Sequence, residues 1–225
     1  MFIENGTLTM IEEKDIVNGE VVIPNTVTKL GYKSFYECGS LENVIIPDTV
    51  TNIGHETFYG CTSLKSVIIP ETDVKIGHKS FMGCTSLESI VIPNSINIIY
   101  ASAFKWCTYL KEINIPNSVE IIGASAFSGC TSLKEIIIPS SVNTIWKAAF
   151  HGCTSLKEIK VEEGISEEVI DKLKEDYPDK EIKVIPSIII ADDPSKNTER
   201  SSLNVLDDFY RNAVYKSFEC AEMSH

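Results

Sequence analysis

The chain has 225 residues, 43% hydrophobic and 23% charged, which suits one ordinary folded domain or one short repeat array. Its formal net charge is −12, and from Glu162 onward 16 acidic side chains face 8 basic ones, so the C-terminal quarter carries −8 of that total. An acidic chain repels phosphate, which excludes nucleic acid as the expected partner, and no basic patch favours an anionic membrane.

The N-terminus, Met1-Phe2-Ile3-Glu4-Asn5-Gly6, has no basic start and no apolar run of the secretory type. No stretch approaches the roughly 18 consecutive apolar residues of a membrane span. Read as the start of a complete chain, this N-terminus predicts a cytoplasmic protein with no membrane insertion. Phe2-Ile3-Glu4 and Thr7-Leu8-Thr9 flank Asn5-Gly6, a strong short hairpin signal. Residues 1–20 are expected to form an N-terminal hairpin cap.

A repeat follows. Prolines stand at 24, 47, 70, 93, 116 and 139, each 23 residues from the last. Columns in the same register hold Phe35, Phe58, Phe81, Phe104, Phe127 and Phe150, then Cys38, Cys61, Cys84, Cys107, Cys130 and Cys153. A leucine column runs from Leu41 to Leu156 with the same period. Segments such as Leu41-x-x-Val44-x-Ile46-Pro47 alternate with period two, which predicts a short strand ended by proline. One coil buries too little apolar surface to order itself, so the units must stack. Residues 21–161 are the expected solenoid.

The motif changes after Val161. Ser166 is placed to cap a helix that carries Glu167 and Glu168 in its first turn, and Pro178 stops it. Ile182 and Val184 then fall 23 residues after Ile159 and Val161. Residues 162–186 are thus expected to form a helix–strand cap, giving eight strands in all. Residues 187–225 read as linker and tail, with an amphipathic pattern over Leu203, Leu206, Tyr210, Ala213 and Val214.

The cysteine column reads as a row of small buried side chains rather than a disulfide ladder, and no Cys-x-x-Cys zinc spacing occurs. His55 and His78 share a column, but two imidazoles without a third ligand make a poor metal site. The expectation is a fold without metal or cofactor. No catalytic constellation stands out from the repeat itself, so an enzyme is not expected.

The middle residue of each predicted strand should point away from the core: Val22, Ile45, Ile68, Val91, Asn114, Ile137 and Lys160. Five are apolar and would form a stripe, which fits either a binding surface or β-branched stiffening of the strands. Beside them, Ser66 and Ser89 give way to Glu112, Glu135 and Glu158. The fourth coil departs furthest from consensus: Tyr100 and Trp106 each replace a glycine, and Tyr109 replaces a serine. Trp106 and Tyr109 are expected near each other at the edge of the concave strand. With Tyr100 and Asn114 they are candidate partner contacts, or else they pack on neighbouring coils as Trp146 would.

The unit Ile-Pro-x-x-Val-x-x-Ile-Gly-x-x-x-Phe-x-Gly-Cys-Thr-Ser-Leu-x-x-Ile, seen from Ile46-Pro47 to Val67, resembles the BspA-type leucine-rich repeat. The resemblance covers roughly residues 1 to 186. It implies an α/β-type, right-handed, curved solenoid whose parallel concave sheet has about eight strands. It also implies a surface protein that binds host matrix proteins, other cells or a host surface, and hence a cell-surface or secreted location. The expected function is a non-enzymatic, monomeric protein-binding module. The alternatives are an intracellular scaffold whose tail recruits a partner, and a purely structural spacer.

Because the register ends at Val184, a chain ending at residue 186 should keep the melting temperature of the full chain. Ending it at Glu162 should lower that temperature sharply, by baring strand edge and core. A truncation at 186 that melts far lower would place the tail in the core.

Overall fold

A computed structural model describes residues 1–187; residues 188–225, with the tail helix predicted around Leu203–Val214 and Cys220, lie outside the described residues. β1 (Phe2–Glu4) and β2 (Thr7–Met10) form an antiparallel hairpin. Its turn residues Asn5 and Gly6 have φ of 48° and 72°, the left-handed pair of a type I′ turn.

The repeat then lays down two rows of short parallel strands. The first row, which carries the Leu-x-x-Val-x-Ile segments, holds β3 (Glu20–Val21), β5 (Asn43–Ile45), β7 (Ser66–Ile68), β11 (Ile137–Ile138), β13 (Glu158–Glu162) and β14 (Glu181–Ile185). Register is in step with the sequence, as in Val44 opposite Val67 and Val161 opposite Val184. All eight rungs are present, but the fourth and fifth are reduced to a single bridge between Val91 and Asn114. The row therefore divides into two three-stranded blocks, β3-β5-β7 and β11-β13-β14.

The second row lies on the return arm, which the alternation pattern does not mark as strand. It comprises β2, β4 (Lys29–Leu30), β6 (Asn52–Ile53), β8 (Lys75–Ile76), β9 (Ile98–Ile99), β10 (Ile121–Ile122) and β12 (Thr144–Ile145). It too is interrupted, between β8 and β9. Two sequence changes meet there. Asp73 takes the place of the column valine, and Val74, one residue later, is buried in its stead. Tyr100 follows where Gly31, Gly54, Gly77 and Gly123 lie against the preceding coil; a Cβ on Gly77 would stand 2.7 Å from the Gly54 carbonyl carbon.

The arc between the second row and the first has no regular structure, yet its amides are paired by a simple alternation. Ser34, Tyr36 and Cys38 donate to the carbonyl three residues back, and Lys33, Phe35 and Glu37 donate forward to His55, Thr57 and Tyr59 of the next coil. The pattern repeats through Ser125, Phe127 and Gly129, which reach Lys147, Ala149 and His151. Each coil needs two left-handed residues to do this. One is a non-glycine, from Lys33 to Ala148, and the other is Gly60, Gly83, Gly129 or Gly152 in four of six coils.

Inside the arc the phenylalanines form one continuous column, with ring centroids 4.8 Å apart at Phe35–Phe58 and 5.7 Å at Phe127–Phe150. The later spacings exceed the roughly 4.8 Å between paired strands, so the arc side fans open relative to the strands. The thiols have a definite role beside them. Cys61, Cys84, Cys107, Cys130 and Cys153 each donate to the carbonyl of the phenylalanine 26 residues earlier, at 2.9–3.2 Å. All six column cysteines are free and buried. Burial pushes the thiols up, to about 11 for Cys38 and Cys153 and further for the four between them. They are protonated donors, not reactive thiolates.

The C-terminal end substitutes side chains for the missing coil. Ser166 Oγ accepts from the Val169 amide and caps α1 (Glu167–Asp176), which buries Val169 and Leu173. Tyr177 closes the aromatic column 5.7 Å from Phe150, and its hydroxyl accepts from the Phe150 amide at 2.9 Å. That amide is the one that, in earlier coils, reaches the next backbone. Lys180 Nζ donates to the Leu156 carbonyl at 3.0 Å.

Tyr177→Phe keeps the ring and removes only the acceptor, leaving the buried Phe150 amide unpaired. It should cost about 1–3 kcal/mol in urea unfolding. Tyr59→Phe, which removes a hydroxyl not used in the stack, should cost less than about 0.5 kcal/mol. Equal effects from the two would show that the hydroxyl does not close the stack.

Candidate interaction surface

The first row presents the outward column, and its character changes along the stack. Val22 is 83% exposed and Ile45 45%, while Ile68, Val91 and Ile137 are half-buried and Asn114 is exposed. The stripe is therefore not evenly open: its apolar surface is concentrated at the first two coils. Polar pairing begins beside it, where Ser66 Oγ donates to Asn43 Oδ1 at 2.8 Å. At the far end Lys160 lies 2.8 Å from Glu135 and 3.7 Å from Glu158, and Lys183 lies 3.7 Å from Glu158. The hydrogen bond to Glu135 raises the Lys160 pKa. These partly exposed pairs add little stability, but they fix a charged face.

Trp106 and Tyr109 are both exposed, at 48% and 59%. Trp106 ends the arc at φ +64°, in the column that is glycine in four other coils. A bulky residue in the left-handed region costs about 1–2 kcal/mol. Its indole lies forward across the next coil: a Cβ built on Gly129 would stand 2.5 Å from Trp106 Cδ1. Lys105 Nζ sits 4.5 Å over the same ring. Tyr109 starts the turn into the first row, and its amide donates backward to Thr85. Trp106 thus combines a packing contact on one side with a large exposed face on the other. No stacking contact joins the Trp106 and Tyr109 rings among the described residues.

Tyr100 stands apart from that edge. It follows β9 of the second row, is half-buried, and packs its ring 4.7 Å from His78. His78 in turn lies 5.1 Å from His55. The His78 amide donates to His55 Nδ1 at 2.8 Å, which occupies the lone pair a metal would need. Burial, then the neighbouring His55 and Lys79, lower the His78 pKa. The imidazole pair is therefore a surface aromatic contact.

A second aromatic group, unrecognised in the sequence pattern, decorates the arc of the first two coils. Tyr36 and Tyr59 stack at 5.0 Å, Lys33 Nζ lies 4.3 Å from the Tyr36 ring, and Tyr32 is 62% exposed. The signal was available: Tyr36 and Tyr59 occupy one repeat column, immediately after the buried phenylalanine.

No helix among the described residues is long and apolar enough to cross a membrane. No group of three or more His, Cys, Asp or Glu side chains among them is placed to hold a metal.

Similarity to known proteins agrees with the repeat. No curated protein matches the sequence. A leucine-rich repeat protein from Bacteroides ovatus is 27% identical, with 73% of this chain and 47% of that one aligned and a TM-score of 0.57. One from Eubacterium ventriosum is 29% identical over 60% of this chain and 36% of the other, with a TM-score of 0.53. The pneumococcal vaccine antigen PcpA shares the fold at 20% identity, over 82% of this chain and 45% of its own, with a TM-score of 0.53. The chain spans at most about half the length of these three structures. The BspA type leucine rich repeat region, in six copies, matches residues 18–104 and 74–172, and the chain belongs to that family.

Proposed function

We propose that this chain is a non-enzymatic, monomeric protein-binding module of the surface-contact kind, taking its partner along the first-row face and the adjoining edge of the fourth coil. Trp106 carries the reading: a half-exposed indole is kept at φ +64° where glycine is the unstrained choice. Strain retained at an exposed aromatic points to use, because large exposed aromatics act as interface anchors. Tyr109 and Asn114 extend that edge, and Val22, Ile45, Ile68, Val91 and Ile137 supply an apolar strip of graded exposure. Tyr100 lies on the second-row side against His78, away from this edge. Glu112, exposed beside this strip, selects a partner surface that is basic where it meets it. The match to structures of which this chain covers less than half is consistent with a module within a longer array.

Binding of the full chain to an immobilised basement-membrane extract tests this. The chain should bind saturably. Trp106→Gly and Tyr109→Ser should each weaken binding by about 2 kcal/mol, roughly thirtyfold. The melting temperature should hold or rise for Trp106→Gly, since relief of backbone strain offsets the lost contact on Gly129. Absence of binding would contradict the surface-contact role. Unchanged affinity with a lowered melting temperature would make the aromatics structural.

A further inference from the structure

The two rows end at different heights. The first row continues through β13 and β14, whereas the second stops at β12, because the chain forms α1 over the residues that would supply its next rung. In the regular coils that rung is bound by two carbonyls. Thr51 and Gly54 donate to Thr28 and Leu30, Glu120 and Gly123 donate to Asn97 and Ile99, and Asn143 and Trp146 donate to Glu120 and Ile122. The corresponding acceptors on β12 are the carbonyls of Asn143 and Ile145, and among the described residues no backbone donor reaches them. Both residues line a groove at that end of the row. This groove of about 450 Å³ separates β12 from α1, lined by Ile145, Trp146 and Lys147 on one side and by Val169 and Lys172 on the other. Trp146 is 57% exposed there.

We propose that this groove takes an extended peptide segment of a partner protein, added to β12 as one more parallel rung. The repeat itself specifies the occupant: five earlier coils show what covers this edge, an extended backbone whose amides reach two carbonyls two residues apart. Ile145 and Val169 give an apolar floor for one side chain, and Trp146 makes a wall. Lys147, Lys172 and Glu168 line the rim, which therefore carries charges of both signs. The first-row edge at the same end of the stack is different in kind. β14 presents Glu181 and Lys183 and is followed by Pro186, which is how natural sheets block further pairing. This inference is independent of the first-row reading, since no residue is shared between the two surfaces.

The test uses the full chain carrying Trp106→Phe, so that Trp146 is the sole tryptophan. The probe is an acetylated, amidated octapeptide copying residues 117–124, Asn-Ser-Val-Glu-Ile-Ile-Gly-Ala, the rung that the fifth coil lays on β9. Titration should shift Trp146 emission saturably. The same peptide N-methylated at the Glu120, Ile121 and Gly123 positions should bind about tenfold weaker or less, having lost its donors. Glu168→Phe, which fills the groove from an exposed helix position, should abolish the shift while the circular dichroism spectrum and melting temperature are retained. Equal affinity of the two peptides, binding unaffected by Glu168→Phe, or no saturable shift at all would each overturn the proposal.

Discussion

The structure depends on one recurring interaction, the forward hydrogen bond from an arc amide to the next coil. The arc has neither helix nor strand, and about half its amides close local turns. The remainder have no partner within their own coil, and an unpaired buried amide costs on the order of 1–3 kcal/mol. Phe35, Phe58, Phe81, Phe104 and Phe127 all solve this by donating to a small residue of the next coil: Thr57, Ser80, Ala103, Ala126 and Ala149. The constraint propagates outward. Small residues are needed where those carbonyls approach, the phenylalanine rings are stacked by the same register, and the cysteine thiols turn back to pair the phenylalanine carbonyls. A coil without a successor must borrow an acceptor, and Tyr177 supplies it with a side chain.

Much of this architecture was legible in the sequence because a solenoid writes its contacts at a fixed interval. The 23-residue columns locate the phenylalanines, cysteines and leucines of the core, and Ser166 and Tyr177 mark the closing helix. The second row of strands was not legible. Its rungs are two residues long, too short for alternation to register, and they exist only because the neighbouring coil lies alongside. The donor role of the cysteines was likewise hidden, since composition describes a small buried residue and only geometry shows the carbonyl it faces. The Asp73 irregularity was missed because Val74 restores the burial one position late.

The orientation of the outward column was legible in the sequence, and its graded exposure was not. Alternation correctly pointed Val22 and Ile45 outward, but it treats every rung as equally open, whereas Ile68, Val91 and Ile137 are partly covered. Consensus comparison found Tyr100, Trp106 and Tyr109 as departures, yet it carries no sense of which side of the coil each occupies. The backbone assigns Tyr100 to the second-row side against His78 and leaves Trp106 at the far end of the arc. Departures from a repeat therefore do not say which of them belong together. The graded face, apolar at its start and ion-paired at its end, follows from the same additivity: each coil contributes its own outward side chains to a scaffold that does not change.

Amide hydrogen exchange resolved by residue tests the central claim most directly, because it reads the forward bonds one at a time. If they hold the stack, the amides of Phe58, Phe81, Phe104 and Phe127 should exchange only with global unfolding. The Tyr100 amide, which lacks a rung to β8, should exchange near the rate of an exposed loop. Fast exchange in the phenylalanine column, or protection of Tyr100 equal to that of Gly77 and Gly123, would contradict the account.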